Sequence, residues 1–166
     1  MSRRIVSITI KRNGRLGKKR PGKNGSRRMM LVNFLPKALT NKDPAIILKD
    51  RWLADSGADT MVTNQISDLI SYQKDPLEID GAGGTTFSPG FGAVELKVML
   101  TNGTTREIKL NHVRYLPQRP VKLFSLKKVM MNGGSFHSDH IMFIDEGKSK
   151  ELCEIDSSGF LVESRL

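Results

Sequence analysis

Residues 53–63 read LADSGADTMVT, and within them Asp55, Ser56 and Gly57 have the types and spacing to do chemistry. A peptide bond can be hydrolysed without a metal or a nucleophilic side chain when two carboxyl groups share one proton. One, as carboxylate, draws a proton from water, and the other, as acid, protonates the carbonyl oxygen. Two carboxylates about 3 Å apart cannot both ionise, so their titrations split. A serine after the aspartate offers a hydroxyl to brace opposed loops, and a glycine lets two backbones approach closely. The chain has one such triplet, because Asp156-Ser157-Ser158-Gly159 carries an extra residue. The pair would therefore come from two chains, with Asp55 of each on a two-fold axis. Alone, the triplet reads more readily as a turn capping a strand. Burial of Asp55 inside a single subunit, or a side chain aimed away from any groove, would end the enzymatic reading and leave only the architectural likeness.

The elements that must hold this loop read as β-strands. Trp52-Leu53-Ala54 is an apolar run leading into Asp55. Leu77-Glu78-Ile79 alternates and ends at a flexible tip, Gly81-Ala82-Gly83-Gly84. Residues 93–100 (AVELKVML) and 106–113 (REIKLNHV) both alternate, and Asn102-Gly103 between them is a hairpin signal, so the two are expected to pair. Residues 136–140, 141–144 and 152–155 give further strands, with turns at Glu146-Gly147 and Ser158-Gly159. Residues 29–35 (MMLVNFL) suit a first strand. Two segments read as helical: residues 65–72 after Thr63 or Asn64 as N-cap, and residues 126–131, stopped by Asn132-Gly133-Gly134. The expected fold is all-β, a small β-barrel with a flap hairpin and one or two short helices.

Charge divides the chain of 166 residues in two. Residues 1–42 hold 13 of the 27 Lys and Arg and no Asp or Glu, which is +13; the rest is −3, and the two give the net +10. Residues 1–45 therefore read as a basic extension and residues 46–166 as the folded domain. The run 12–28 (RNGRLGKKRPGKNGSRR) combines like charges with glycines, which opposes packing, so it reads as disordered. Arg12, Arg15, Lys18, Lys19, Arg20, Lys23, Arg27 and Arg28 would attract nucleic-acid phosphates without regard to sequence, and no aromatic residue lies among them for base stacking. KKRPGK also suits a nuclear-import signal, and a solubilising linker is the plain alternative.

The length excludes a large multidomain enzyme, and one cysteine excludes an internal disulfide or a cysteine-rich zinc finger. No stretch of about 18 apolar residues is present, and the charged start lacks an apolar signal region, so no membrane partner is expected and the default is an intracellular protein. His137, Asp139, His140 and Cys153 are zinc-ligand types, but the two histidines, three apart on a strand, are expected to point to opposite faces. A serine nucleophile at Ser56 or Ser125 would have only His112 as base and no G-x-S-x-G elbow. Gly81-Ala82-Gly83-Gly84 lacks the Lys and Ser/Thr of a phosphate loop. No metal and no cofactor is called for.

Taken in order, several segments resemble the retropepsin-like region of copia-type LTR retrotransposon Pol polyproteins. They are WLADSGADTMVT; IDGAGGTTFSPGFGAVEL with Gly81, Gly83, Gly90 and Gly92; LNHVRYLPQ; VKLFSLKKVMMNGG; and the closing SGFLV. The likeness runs over residues 51–166. It implies a β-barrel aspartic protease that cleaves the polyprotein as a homodimer, in the cytoplasm or a virus-like particle, with the nucleus possible through the basic run. Asp55 would be catalytic, with Ser56 and Gly57 in support. Ala58 and Asp59 would hold the substrate backbone, and residues 79–87 would form a flap whose tip, Gly81, Ala82 and Gly83, closes on an extended peptide. The chain departs from that pattern in having no His before Met61-Val62-Thr63 and no Cys before Cys153 for a preceding zinc knuckle. Without an integrase or reverse transcriptase after residue 166, it reads as a fragment or relic of a larger polyprotein. A catalytically silent barrel with a nucleic-acid-binding tail is the alternative function.

Overall fold

The computed structural model describes residues 6–8, 29–31, 48–81 and 83–164. The basic residues from Arg12 to Arg28, and Ala82 at the hairpin tip, lie outside the described residues. In chain order the strands are β1 (Val6–Ile8), β2 (Met29–Leu31), β3 (Trp52–Asp55), β4 (Val62–Thr63), β5 (Leu69–Gly81), β6 (Gly84–Met99), β7 (Thr105–Tyr115) and β8 (Lys122–Ser125). The helix α1 (Leu126–Met131) follows, then β9 (Ser135–Phe136), β10 (His140–Asp145) and β11 (Lys148–Glu154). The domain is all-β, as its alternating segments require. The main sheet runs β2-β5-β6-β7-β4-β8-β3, with β1 alongside β7, and the second runs β11-β10-β9.

This path is open, so the expected closed barrel does not form among the described residues. The two sheets are instead tied by the C-terminal segment. Leu161 N–H donates to the Trp52 carbonyl at 2.9 Å, Val162 N–H to that of Glu154 at 3.0 Å, and Met99 N–H to that of Val162 at 2.8 Å. One stretch thereby bonds to β3, β11 and β6. Two three-residue strands from the first 45 residues also pair with the sheet, β1 parallel to β7 at Ile108–Leu110 and β2 parallel to β5 at Ile79–Gly81. Both fall outside the glycine-rich run, where the sequence is β-branched or apolar.

The long β5–β6 and β6–β7 hairpins follow the sequence pattern. Val98 pairs with Arg106 and Met99 with Thr105, and the turn between them has Gly103 at φ 79°. The Glu146-Gly147 turn joins β10 to β11 with both residues at positive φ, 51° and 73°, the backbone a tight hairpin needs. Residues 65–72, expected as a helix, are a single 3-10 turn at Ile66–Asp68 followed directly by β5. Thr63 Oγ accepts from Gln65 N–H at 3.1 Å, and the Asp68 carboxylate is taken by the Thr63 hydroxyl and the Lys122 ammonium. With the turn anchored, Leu69 adopts extended backbone and the chain pairs with β6 at Val94, Ala93 and Gly92. A free edge of β6 outweighs the weak helical spacing of Ile66, Leu69 and Ile70.

Strands β3, β4 and β8 are short because both of their faces are buried. Trp52, Met61 and Phe124 pack into one apolar cluster with Val113, Leu126 and Ile141. Leu53, Val62 and Leu123, their neighbours in sequence, pack into a second with Ala58, Ile79 and Phe160. A one-residue slip would exchange the two sets, so the register of β3 is fixed. Gly92 shows how close the long hairpin packs, since a Cβ there would overlap the Ser71 carbonyl oxygen. Gly92→Ala is expected to lower stability by about 1–3 kcal/mol, the usual cost of overpacking, read from the midpoint of chemical unfolding.

Candidate active site

The fixed register of β3 delivers Asp55 to the end of a strand. β3 lies parallel to β8 with Asp55 opposite Ser125, and Ala54 N–H donates to the Gly159 carbonyl at 2.9 Å. Just beyond, the chain turns on the Asp55 carboxyl: Oδ1 accepts from Gly57 N–H at 2.7 Å, and Ala58 N–H adds a second backbone donor to the same group. The other side of the loop is held from β8. Ser125 Oγ donates to the Ala58 carbonyl and accepts from Lys128 N–H at 3.1 Å, capping α1, while Ser125 N–H points to Met61 Sδ at 3.0 Å. Ser125 is thus a fully buried brace for the Asp55 loop, not a nucleophile.

Asp55 is 4 % exposed, so within one chain its carboxyl is covered and the open groove expected of it is not seen. Burial pushes its pKa above the ordinary carboxylate range, with the Gly57 and Ala58 N–H groups and the charge of Arg119 pulling the other way. Oδ2 is buried and without a hydrogen-bond partner. Arg119 was not singled out by sequence reading. It stands between Pro117 and Pro120 in the loop from β7 to β8, half-buried, with burial lowering its pKa and Asp55 raising it. Its Nε is also buried and unpaired, and its carbonyl accepts from Asn64 Nδ2 at 3.0 Å. The Pro-x-Arg-Pro spacing was the available signal, since prolines on both sides fix the loop that carries a lone cation.

The other expected site residues separate. Ser56 is exposed and Gly57 half-buried beside Asp55, and Ala58 is fully buried in the second cluster. Asp59 is ion-paired with Lys127 on the first turn of α1. Gly81 ends β5 and Gly83 is exposed at the hairpin tip, where Gly84 takes φ 104°. The base of that hairpin is anchored, because Ile79 is fully buried in the cluster that contains Ala58. Asp156, outside the DSG pattern, caps its own turn: Oδ1 accepts from Ser158 and Phe160 N–H at 2.8 and 3.0 Å, and Arg51 pairs with the carboxyl.

The histidine expectation is corrected. His137 and His140 do not face opposite ways; their rings stack with centroids 4.5 Å apart, because residues 137–139 form a tight turn closed by His137 N–H on the His140 carbonyl at 2.8 Å. Alternation holds only within a strand, and β9 ends at Phe136. Among the described residues no group of three or more His, Cys, Asp or Glu converges on a metal position. Cys153 is buried, which pushes its thiol up and leaves it unreactive.

An all-β domain in which an apolar strand ends on a buried aspartate followed by Ser-Gly defines the class. The family model described as Pol polyprotein, beta-barrel domain, matches residues 52–134, half of the chain, and the chain belongs to that family. The match begins at Trp52 in β3 and ends at Gly134, so it spans the Asp55 loop, both long hairpins and α1. Neither a curated protein nor a solved structure matches the chain.

The raised carboxyl has a thermodynamic consequence. Asp55 binds its proton more tightly in the folded chain than in the unfolded one. Its contribution to stability is therefore greatest in acid and is lost as pH rises through the raised value. Asp55→Asn removes the buried charge, so the variant is expected to melt a few degrees above the parent at pH 7–8, a gain that vanishes below about pH 4. Thermal unfolding across that pH range checks it, and a constant difference between the two proteins would contradict it.

Proposed function

We propose that the chain is the aspartic endopeptidase domain of a copia-type retrotransposon Pol polyprotein, acting as a homodimer on polypeptide substrates. Its membership of the Pol beta-barrel family supports a retroelement origin. The observation that carries the chemistry is the Asp55 carboxyl, with Oδ1 held by backbone N–H groups and Oδ2 buried without a partner. In the dimer one Asp55, ionised, takes a proton from water as it attacks the scissile carbonyl. The other, protonated, gives its proton to the carbonyl oxygen. As the resulting diol collapses the C–N bond breaks, the proton taken from water passes to the leaving amine, and a diol hydroxyl returns its proton to the second carboxylate. Burial supports this division, because it favours the protonated form of the carboxyl. Since one chain covers Asp55, the partner and substrate must uncover it as they seat. The β5–β6 hairpin, rooted at Ile79 and glycine-rich at its tip, suits the flap that then excludes water.

Pepstatin-sensitive cleavage of a polyprotein-derived peptide tests this at acidic to neutral pH. The parent protein is expected to cleave with a rate that rises with the square of its concentration when dilute. Asp55→Asn is expected to lose about 10²–10⁴-fold, the range for removal of a general acid–base group. No cleavage at any concentration overturns the enzymatic reading.

One observation favours a second reading: the near-complete burial of Asp55 within a single chain suits a catalytically silent domain. Its partner would then be nucleic acid, held by the 13 cations of residues 1–42. Under that reading, RNA affinity falls by about 10³-fold or more between 50 and 200 mM salt if six or more phosphates are contacted. Deleting residues 1–42 is expected to abolish binding in a filter assay, and binding that persists would assign it to the folded domain instead.

A further inference from the structure

The outer face of the long hairpins carries an aromatic stripe. In β6 the residues Phe87, Pro89 and Phe91 alternate with the buried Ser88, Gly90 and Gly92, so the first three share one face, and Phe87 is 51 % exposed. The register continues that face across the sheet, with Gln73 of β5 on one side of Phe91 and Arg114 of β7 on the other. The Arg114 guanidinium lies 5.1 Å from the Phe91 ring centroid and is itself fixed, donating to the Asp75 carbonyl at 2.7 Å and to its carboxylate at 2.6 Å. The exposed His112 ring stacks on Phe91, with centroids 4.9 Å apart and planes 28° from parallel. A β-bulge aims it there. Gly92 pairs with Val113 and Val94 with Leu110, so Asn111 and His112 together stand opposite Ala93, and His112 takes φ 58°. The stack is thus set in place by the sheet's own register.

The basic residues are tied to the same three strands. β1 ends at Ile8 beside Leu110 of β7, two residues before His112, and β2 begins at Met29 beside Ile79 of β5. Residues 9–28, between them, hold nine Lys and Arg and no Asp or Glu, and lie outside the described residues. Both ends of that segment are therefore fastened to the strands that flank β6. We propose that Phe91 and His112, with Phe87 further along β6, form a base-stacking platform for single-stranded nucleic acid. The proposal rests on the nucleic-acid reading of the basic residues and is independent of cleavage at Asp55. It supplies what those residues lack, since cations hold phosphates but no aromatic side chain lies among them. Phe87 and Phe91, four residues apart in one strand, stand about 13 Å from each other. A flexible single strand can lay a separate base on each, whereas a duplex keeps its base faces stacked inside. Every base has a π-face, so the platform takes single strands without choosing sequence.

Fluorescence anisotropy of a labelled single-stranded RNA of mixed sequence, and of its duplex, titrated with the full chain, tests this. His112→Gly suits the left-handed backbone at the bulge and removes only the ring. Phe91→Leu keeps an apolar side chain and removes the π-face. Each variant is expected to bind the single strand about tenfold more weakly. The slope of log affinity against log salt should stay at the parental value, because the phosphate contacts remain, and duplex affinity should not change. Single-strand affinity in His112→Gly equal to the parent's overturns the platform, and so does a fall of the same size for the duplex. If the parent binds neither RNA, the nucleic-acid reading fails and the platform with it. If the parent binds and His112→Gly matches it, that reading stands and the platform alone fails. Should Phe91→Leu not fold, His112→Gly carries the test by itself.

Discussion

The desolvation of one carboxyl group governs this domain. Asp55 sits at the end of β3 with one oxygen bound to the backbone and the other without a partner. Leaving a buried acceptor unsatisfied costs on the order of 1–3 kcal/mol, more when the group is charged. The surrounding structure has to tolerate that cost, and its construction shows how. The strands nearest the site are buried on both faces, so Asp55 cannot swing out without dislodging Trp52 from one cluster and Leu53 from the other. The Ser125 hydroxyl, the Asp55–Gly57 turn and the C-terminal segment then lock the loop from three sides. Rigidity of this kind is what a preorganised acid or base needs.

Mobility is placed elsewhere. The β5–β6 hairpin has a buried root at Ile79 and an exposed tip of glycines, with Phe87 half-exposed on its return strand. Its close pairing depends on Gly92 and Gly90, where any side chain would strike the backbone of β5 or the Tyr72 ring. The glycines thus do two jobs along one hairpin: close approach in the stem, and freedom from side-chain packing at the tip. A rigid loop beneath a hairpin whose end makes few apolar contacts is an arrangement in which substrate access and chemistry can be adjusted separately.

Much of this was legible in residue order because the signals were local. Alternation in residues 93–100 and 106–113 with Asn102-Gly103 between them describes β6, β7 and their turn, and the stop at Asn132-Gly133-Gly134 describes the end of α1, whose Ser125 cap went unread. The misreadings of residues 65–72 and of the sheet's closure involve distant partners. Residues 69–72 became strand because β6 offered a ladder and Lys122 captured Asp68, in the turn before them, from 54 positions away. His137 and His140 met because a turn, not a strand, joins them. The open sheet reflects pairing at strand ends, which spacing does not encode. Within the site, Asp55 announced itself through Ser56 and Gly57, whereas Arg119 has no motif of its own.

The family and the burial of Asp55 pull in different directions, and the orphaned Oδ2 bears on which weighs more. A carboxyl kept purely for architecture can satisfy both oxygens, as Asp156 does by accepting two backbone N–H groups and pairing with Arg51. That group is held below the ordinary carboxylate range, stable as an ion and without acid–base use near neutrality. Asp55 is the reverse case in the same molecule: fewer donors, greater burial, and a proton held more tightly. Both sites follow an aspartate with serine and a glycine turn, so the difference lies in environment, not in local sequence. An arrangement that leaves one oxygen unpaired persists where that oxygen has something to bind, a proton or a water held against a second carboxyl. The contrast between these two aspartates weighs toward chemistry at Asp55.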